Sequence, residues 1–212
     1  MEAEEYLQLA DWRCRVAVTY ARWRDESATD PEAATVRWRN ERDELFRSHP
    51  QSPLPIDERA RFGGLSYYPH DPAYRMTAVM EPAEPDSAAP GLLELPTSGD
   101  EPFSFSLIGR VTLSGPLAGA TLPVFWMAGY AGALFLPFRD ATAGSETYGA
   151  GRYLFDSVKG ADLGGDPGKA EMLLDFNLAY HPSCAYDPRW NCPLAPFESR
   201  LAVAVHAGER LR

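Results

Sequence analysis

Residues 135–154, FLPFRDATAGSETYGAGRYL, gather Arg139, Asp140, Thr142, Ser145, Glu146, Thr147, Tyr148 and Arg152 around three glycines. Arg139 or Arg152 could hold a carboxylate or phosphate through two parallel N–H donors. Asp140 and Thr142 can accept from backbone donors in a turn just past a strand. Gly149 and Gly151 permit a backbone or a ligand to come close. The same residue types support a second reading, in which Arg139, Asp140, Glu146 and Arg152 form a buried ion-pair network that staples a long hairpin. Neither a dinucleotide GxGxxG nor a GxxxxGK[ST] phosphate loop is present.

A second dense stretch, DFNLAYHPSCAYDPRWNCPLAPFESRL (175–201), holds Asp175, Asn177, Tyr180, His181, Cys184, Tyr186, Cys192 and Glu198. Three chemistries are open to it. Cys184, Cys192 and His181 could ligate a metal, but zinc favours tighter cysteine pairs, and no metal site is expected. A cysteine could act as nucleophile, with His181 or His206 as base and Asp175 as orienter. Or Cys184 and Cys192 could meet across a proline-pinned loop, bridged or simply packed. A carboxylate pair for acid–base work, Asp140 with Glu146 or Asp175 with Glu198, is not selected by spacing. No G-x-S-x-G, HExxH, CxxC or calcium-loop pattern occurs.

The elements that must position these groups follow from periodicity. Leu9, Trp12, Val16, Tyr20 and Trp23 recur at helical spacing. The stripe breaks at 27–32, where Asp30 can cap and Pro31 begin a second helix buried through Ala34, Trp38 and Leu45. HPQSPL (49–54) ends the helical region. Beyond it, strands are expected at 74–81, 103–113 with a bulge at Gly109, 120–127, 133–138, 152–156, 171–177 and 200–206. Residues 81–102, with five prolines and six acids, read as an exposed loop. Nineteen prolines and seventeen glycines suit many short elements. The expected fold is α+β in one domain, 1–212. N-terminal helices (1–48) pack on a mainly antiparallel β body (62–210), barrel-like or a sandwich.

Composition limits the partners. The formal net charge is −10, with 20 basic against 30 acidic residues. Phosphate backbones demand clustered positive charge, so nucleic acid and anionic membrane are excluded as expected partners. No apolar run approaches the roughly 20 residues of a membrane helix, and the acidic beginning lacks the signal-peptide pattern, so a cytoplasmic location is expected. Three cysteines do not resemble a secreted disulfide framework.

The order FGGLSYYPHDPAYR, FLPFRDATAGSETYGAGRYL, DFNLAYHPSCAYDPRWNCPLAPFESRL and AVHAGER, preceded by a Trp- and Arg-bearing helix and an SPL segment, resembles the bacterial and archaeal family DUF1684, whose function is unknown. The likeness runs over about residues 10–210. It implies a marked residue set: Tyr74, Arg75, Pro137, Phe138, Asp140, Thr142, Gly144, Thr147, Tyr148, Gly151, Arg152 and Tyr153. The set continues through Asp175, Phe176, Asn177, Ala179, Tyr180, Pro182, Cys184, Ala185, Tyr186, Cys192, Pro193, Pro196 and Glu198. The chain departs from the pattern at His181, where an asparagine is usual, and at Ser199. The first departure argues against His181 as a metal ligand or general base.

The expectation is a small-molecule-binding protein, with catalysis left open and no cofactor specified. Arg139, Asp140, Thr142, Glu146, Tyr148, Arg152, Asp175, Asn177 and Tyr180 would rim the pocket, with the cysteine pair Cys184 and Cys192 alongside. Arginines would take an anionic group and tyrosines would form the walls. The partners left open are a small anionic ligand and a second copy of the chain. The competing reading is a non-enzymatic structural or interaction protein whose polar motifs are internal staples.

Overall fold

The computed structural model describes residues 2–83, 93–130 and 132–211. It opens with helices α1 (Ala3–Glu26) and α2 (Pro31–Ser48), and a single turn α3 (Ile56–Arg59). α1 starts in a capping box between Glu2 and Glu5, which supplies partners for otherwise orphaned N–H groups. α2 starts as expected: the Asp30 carboxylate accepts from Ala33 N at 3.0 Å, and Pro31 occupies the first turn. It stops at Ser48, where Pro50 biases His49 to an extended conformation. Ala34, Trp38 and Leu45 form its buried face. On α1 only the far end of the aromatic stripe, Tyr20 and Trp23, is buried, while Leu9, Trp12 and Val16 are half-exposed. The near half of the helix runs past the core and leaves a cleft beneath it.

The strands are β1 (Ser66–Tyr67), β2 (Arg75–Pro82), β3 (Leu93–Leu95), β4 (Phe103–Thr112), β5 (Thr121–Met127), β6 (Ala133–Phe138), β7 (Arg152–Asp156), β8 (Gly165–Asp166), β9 (Glu171–Asp175) and β10 (Glu209–Arg210). The main sheet runs β7-β6-β5-β4-β2-β9-β8, with β3 also on β4, and β1 pairs separately with β10. Every pairing of these strands is antiparallel, and the sheet curls into a barrel-like half-shell, so the fold is α+β with N-terminal helices. The curl has a local cause at β4, where the register shifts between Leu107 and Gly109. A Cβ at Gly109 would sit 2.5 Å from Glu81 O, so only glycine allows β2 to come this near. The inner face of the sheet and both long helices share one core, in which Trp23 and Trp38 meet Leu136, Phe138, Leu154, Leu174 and Phe176. Each such side chain, fully buried, contributes roughly 1.5–3 kcal/mol.

Two expectations are corrected. Residues 200–206 do not form a strand. Leu201 N donates to Arg139 O and Ala141 N to Val203 O, but the Val205 N–H and carbonyl are held by the Asp140 and Arg152 side chains instead of a ladder. The loop expected over 81–102 contains β3, which pairs Leu93–Leu95 with Phe103–Phe105. Its middle, 84–92, lies outside the described residues. No described helix is long and apolar enough to cross a membrane.

Candidate functional site

Strand β6 delivers Arg139 and Asp140 at its end, and β7 begins at Arg152. Gly151 joins them: its φ is +101°, and a Cβ there would lie 2.4 Å from Phe138 O. The Arg152 guanidinium is fully buried and bonds the Asp140 carboxylate (3.2 Å) and the carbonyls of Val205 (2.9 Å), Ala207 and Glu209 (3.1 Å). Burial pulls its pKa down against the opposing charge of Asp140, yet an arginine stays protonated. Asp140 Oδ2 also accepts from Val205 N (2.7 Å) and the Thr142 hydroxyl (2.8 Å), which lies 2.9 Å from the Thr147 hydroxyl. Four of the marked residues thus hold the C-terminal segment. Glu146 is exposed and accepts from the Tyr68 hydroxyl at 3.1 Å. Arg139 is half-buried, and its backbone pairs with the 199–201 segment.

Asp175 and Asn177 close a second staple. Asp175 accepts from Arg75 (3.1 Å) and from both nitrogens of Asn177, whose side chain bonds the backbone of Asp71 in both directions. A third cluster was not foreseen from sequence. Arg42 of α2 donates to Glu209 (2.8 Å) and to the Tyr67 hydroxyl (2.9 Å). Glu209 further accepts from His181 N (3.0 Å) and the Tyr186 hydroxyl, and its Oε1 lies 3.5 Å from His181 Nδ1. Burial alone would raise the Glu209 pKa, but Arg42 and His181 overcome it and bring it to about 2. His181 Nε2 accepts from Tyr148 N at 3.1 Å, so both ring nitrogens are engaged and neither is left to serve a cysteine as base.

The open concavity lies under the near half of α1. A cavity of about 350 Å³ is walled by Trp12, Phe103, Met127, Phe135 and Trp190, with Arg13, Gln51, Asp156, Lys159, Ser183, Asn191 and Cys192 as its polar members. An adjoining recess of about 60 Å³ shares Trp12, Lys159 and Ser183 with it and runs inward to Tyr20, Trp38, Arg42 and Tyr180. Of the nine sequence-predicted pocket residues, Tyr180 lines the recess and none of the other eight lines either space. Lys159 stands where the two meet, 3.4 Å from Asp156 and with its side chain 35 % exposed. Burial would lower its pKa, but Asp156 and the neighbouring thiols outweigh that and raise it, so it is an ammonium. Tyr20 Oη and Trp38 Nε1 are buried in the recess without a hydrogen-bond partner. Trp38 approaches Tyr20 closely enough to influence its ionisation, but not in bonding geometry. Only the scarcity of lysine, two in the chain, could have singled out Lys159.

Cys192 lines the cavity, and Cys184 and Cys192 are free thiols near enough to act on each other's ionisation. The Tyr148 hydroxyl lies 3.8 Å from Cys184 Sγ. Among the described residues no group of three or more histidine, cysteine, aspartate or glutamate side chains converges as a metal site.

The chain is 38% identical to the uncharacterized protein from gene locus rrnAC0354 of Haloarcula marismortui, known from a solution NMR structure, with a TM-score of 0.58 over 88% of this chain and 97% of that one. The comparison with curated proteins finds no match. Residues 60–210 match the family described as "Protein of unknown function (DUF1684)", and they span the strands, the first two polar clusters, the third except for Arg42, and the thiol pair. The chain belongs to the DUF1684 family.

Proposed function

We propose that this is a cytosolic small-molecule-binding protein whose ligand occupies the cleft between α1 and the sheet. The observation that carries this reading is the recess lined by Lys159, Tyr20 and Trp38, in which the buried Tyr20 hydroxyl and Trp38 N–H have no partners. Buried donors are rarely left unmatched, so an acceptor from outside the chain fits there. Trp12, Phe103, Phe135 and Trp190 offer an apolar bed in the larger cavity. The ligand chemistry that matches both halves is a small carboxylate or similar anion on an aromatic or aliphatic body. In this reading Tyr180 belongs to the ligand wall. Arg152, Asp140, Thr142, Asp175 and Asn177 fix the framework, which retains the staple reading for those residues.

The test is a thermal-shift panel of aromatic and aliphatic carboxylates, each beside its neutral amide. A ligand at a hundredfold excess over Kd stabilises by about 2.7 kcal/mol, a rise of roughly 5–10 °C for a chain of this size. Acids should shift the wild type more than amides do, and Lys159→Met should remove the difference. If no acid shifts the wild type at millimolar concentration, or Lys159→Met keeps the full response, the proposal fails.

A further inference from the structure

We propose that Cys184 and Cys192 form a thiol–disulfide couple that reduces small disulfides, with Cys184 attacking and Cys192 resolving. This inference stands on the loop around the cysteines and does not depend on what fills the cleft.

The two cysteines are held at the ends of a loop whose turns are fixed on both sides. Cys184 sits in the 3-10 turn Ser183–Ala185. Cys192 is clamped against the 97–98 segment: its N–H donates to Ser98 Oγ (2.9 Å), its carbonyl accepts from Ser98 N (3.0 Å), and Thr97 bridges to Pro193. Between them the Trp190 ring nitrogen donates to Pro53 O (3.3 Å) and the Trp190 carbonyl accepts from the Ser98 hydroxyl (3.0 Å). Both ends of the loop are therefore fixed, with the two thiols near enough to act on each other's ionisation.

Their surroundings are unequal. Cys192 is 1% exposed, whereas Cys184 is half-buried and reachable. Cys184 is the better-served sulfur: the Tyr148 hydroxyl lies 3.8 Å from it, the Cys192 thiol and Ser98 act on it from nearby, and Lys159 adds positive charge. The hydrogen bond from Cys192 leads in bringing its pKa to about 6 against the effect of burial. The Cys192 thiol, donating to Cys184 and buried, is pushed up. An exposed thiolate beside a protonated, hidden partner is the arrangement that exchange requires.

In the first step Cys184 thiolate attacks one sulfur of a disulfide RS–SR. The S–S bond breaks, a Cys184–SR mixed disulfide forms, and RS⁻ leaves. Cys192 then loses its proton to the departing RS⁻ and attacks Cys184 Sγ. The Cys184–Cys192 bond forms and the second RS⁻ leaves, taking a proton from solvent. The disulfide gains two electrons and the dithiol loses two. An excess of a small thiol runs the same steps backwards.

The experiment uses the full chain carrying Cys14→Ser, since Cys14 is an exposed thiol that would react on its own. The probe is oxidised glutathione, read by intact mass and peptide mapping. The Cys14→Ser protein should lose two hydrogens and gain a Cys184–Cys192 bridge that reduced glutathione reverses. Adding Cys192→Ser or Cys192→Ala should trap one glutathione on Cys184, while Cys184→Ser should leave Cys192 unmodified. Rate alone is a poor discriminator. At pH 7 a thiol of pKa near 6 is about thirtyfold more ionised than one near 8.5, but loses about tenfold in nucleophilicity, leaving a gain of roughly two to threefold. The pH profile is diagnostic in the Cys14→Ser protein, where the Cys192 thiol is still present: its consumption of oxidised glutathione should level off above about pH 7. Failure of the bridge to form, an adduct on Cys192 in Cys184→Ser, or a profile still climbing through pH 8.5 would each overturn the proposal.

Discussion

Replacing Glu209 by glutamine tests the buried cluster that ties α2 to the C-terminal strand. Glu209 is surrounded by donors: Arg42 and His181 N on Oε2, with the Tyr186 hydroxyl on Oε1 and His181 Nδ1 beside it. Because His181 Nε2 accepts from Tyr148 N, Nδ1 must carry the proton. A glutamine side chain has one acceptor oxygen, and either orientation of its amide turns an NH2 toward a donor. The variant also leaves the Arg42 guanidinium, 12% exposed, without its counter-charge. The magnitude can be reached in two ways. Breaking one side of a buried pair costs about 3–5 kcal/mol. Independently, lowering the Glu209 pKa from 4.5 to about 2 corresponds to about 3 kcal/mol at ~1.4 kcal/mol per unit. The folded pKa is depressed, so this contribution is complete above pH 4.5 and is lost as pH falls toward 2. Urea unfolding of wild type and Glu209→Gln should therefore differ by about 3 kcal/mol at pH 7, with a gap that narrows below pH 4.5. A difference under about 1 kcal/mol at pH 7, or one that stays constant into acid, would refute the assigned role.

Two further substitutions address the 135–154 hairpin. Arg152→Met keeps the length of the side chain but strands three carbonyls and the Asp140 carboxylate, so it should cost about 3–5 kcal/mol in urea unfolding; a midpoint equal to wild type would contradict the staple. Gly151→Ala places a Cβ 2.4 Å from Phe138 O at a φ of +101°. It should cost about 1–3 kcal/mol, and a neutral or stabilising result would show that β6 and β7 are not held this close.

What could be read from the sequence was governed by how local the determining interactions are. The bounds of α2 follow from Asp30-Pro31 and His49-Pro50, whose effects act within one turn. Strands β6 and β7 were legible because their apolar residues are nearly all buried. The segment 200–206 misled for a physical reason: Leu201 and Val205 are buried and Val203 exposed, so the side chains do not follow the alternation of a half-buried strand. At Val205 its backbone is satisfied by the side chains of Asp140 and Arg152, more than fifty residues away in sequence. The cleft was illegible for the same reason. Tyr20 and Trp38 are helix core, as their spacing implies, but nothing local says that they also wall a recess with Trp12 and Lys159. Glu209 and Arg42, 167 positions apart, carry no local signal of their pairing.

The Arg152 staple has a kinetic consequence. Its link to Asp140 spans 12 residues, whereas its links to Val205, Ala207 and Glu209 span 53 to 57. Short loops close at lower entropic cost than long ones, so the guanidinium and carboxylate can pair while both are still hydrated. The C-terminal segment then arrives as a cover, trading water on the arginine for its own carbonyls. The 205–209 stretch, which emerges in synthesis after both members of the ion pair, is thus the one that dries it, and the sheet reaches its final stability only when that stretch has docked.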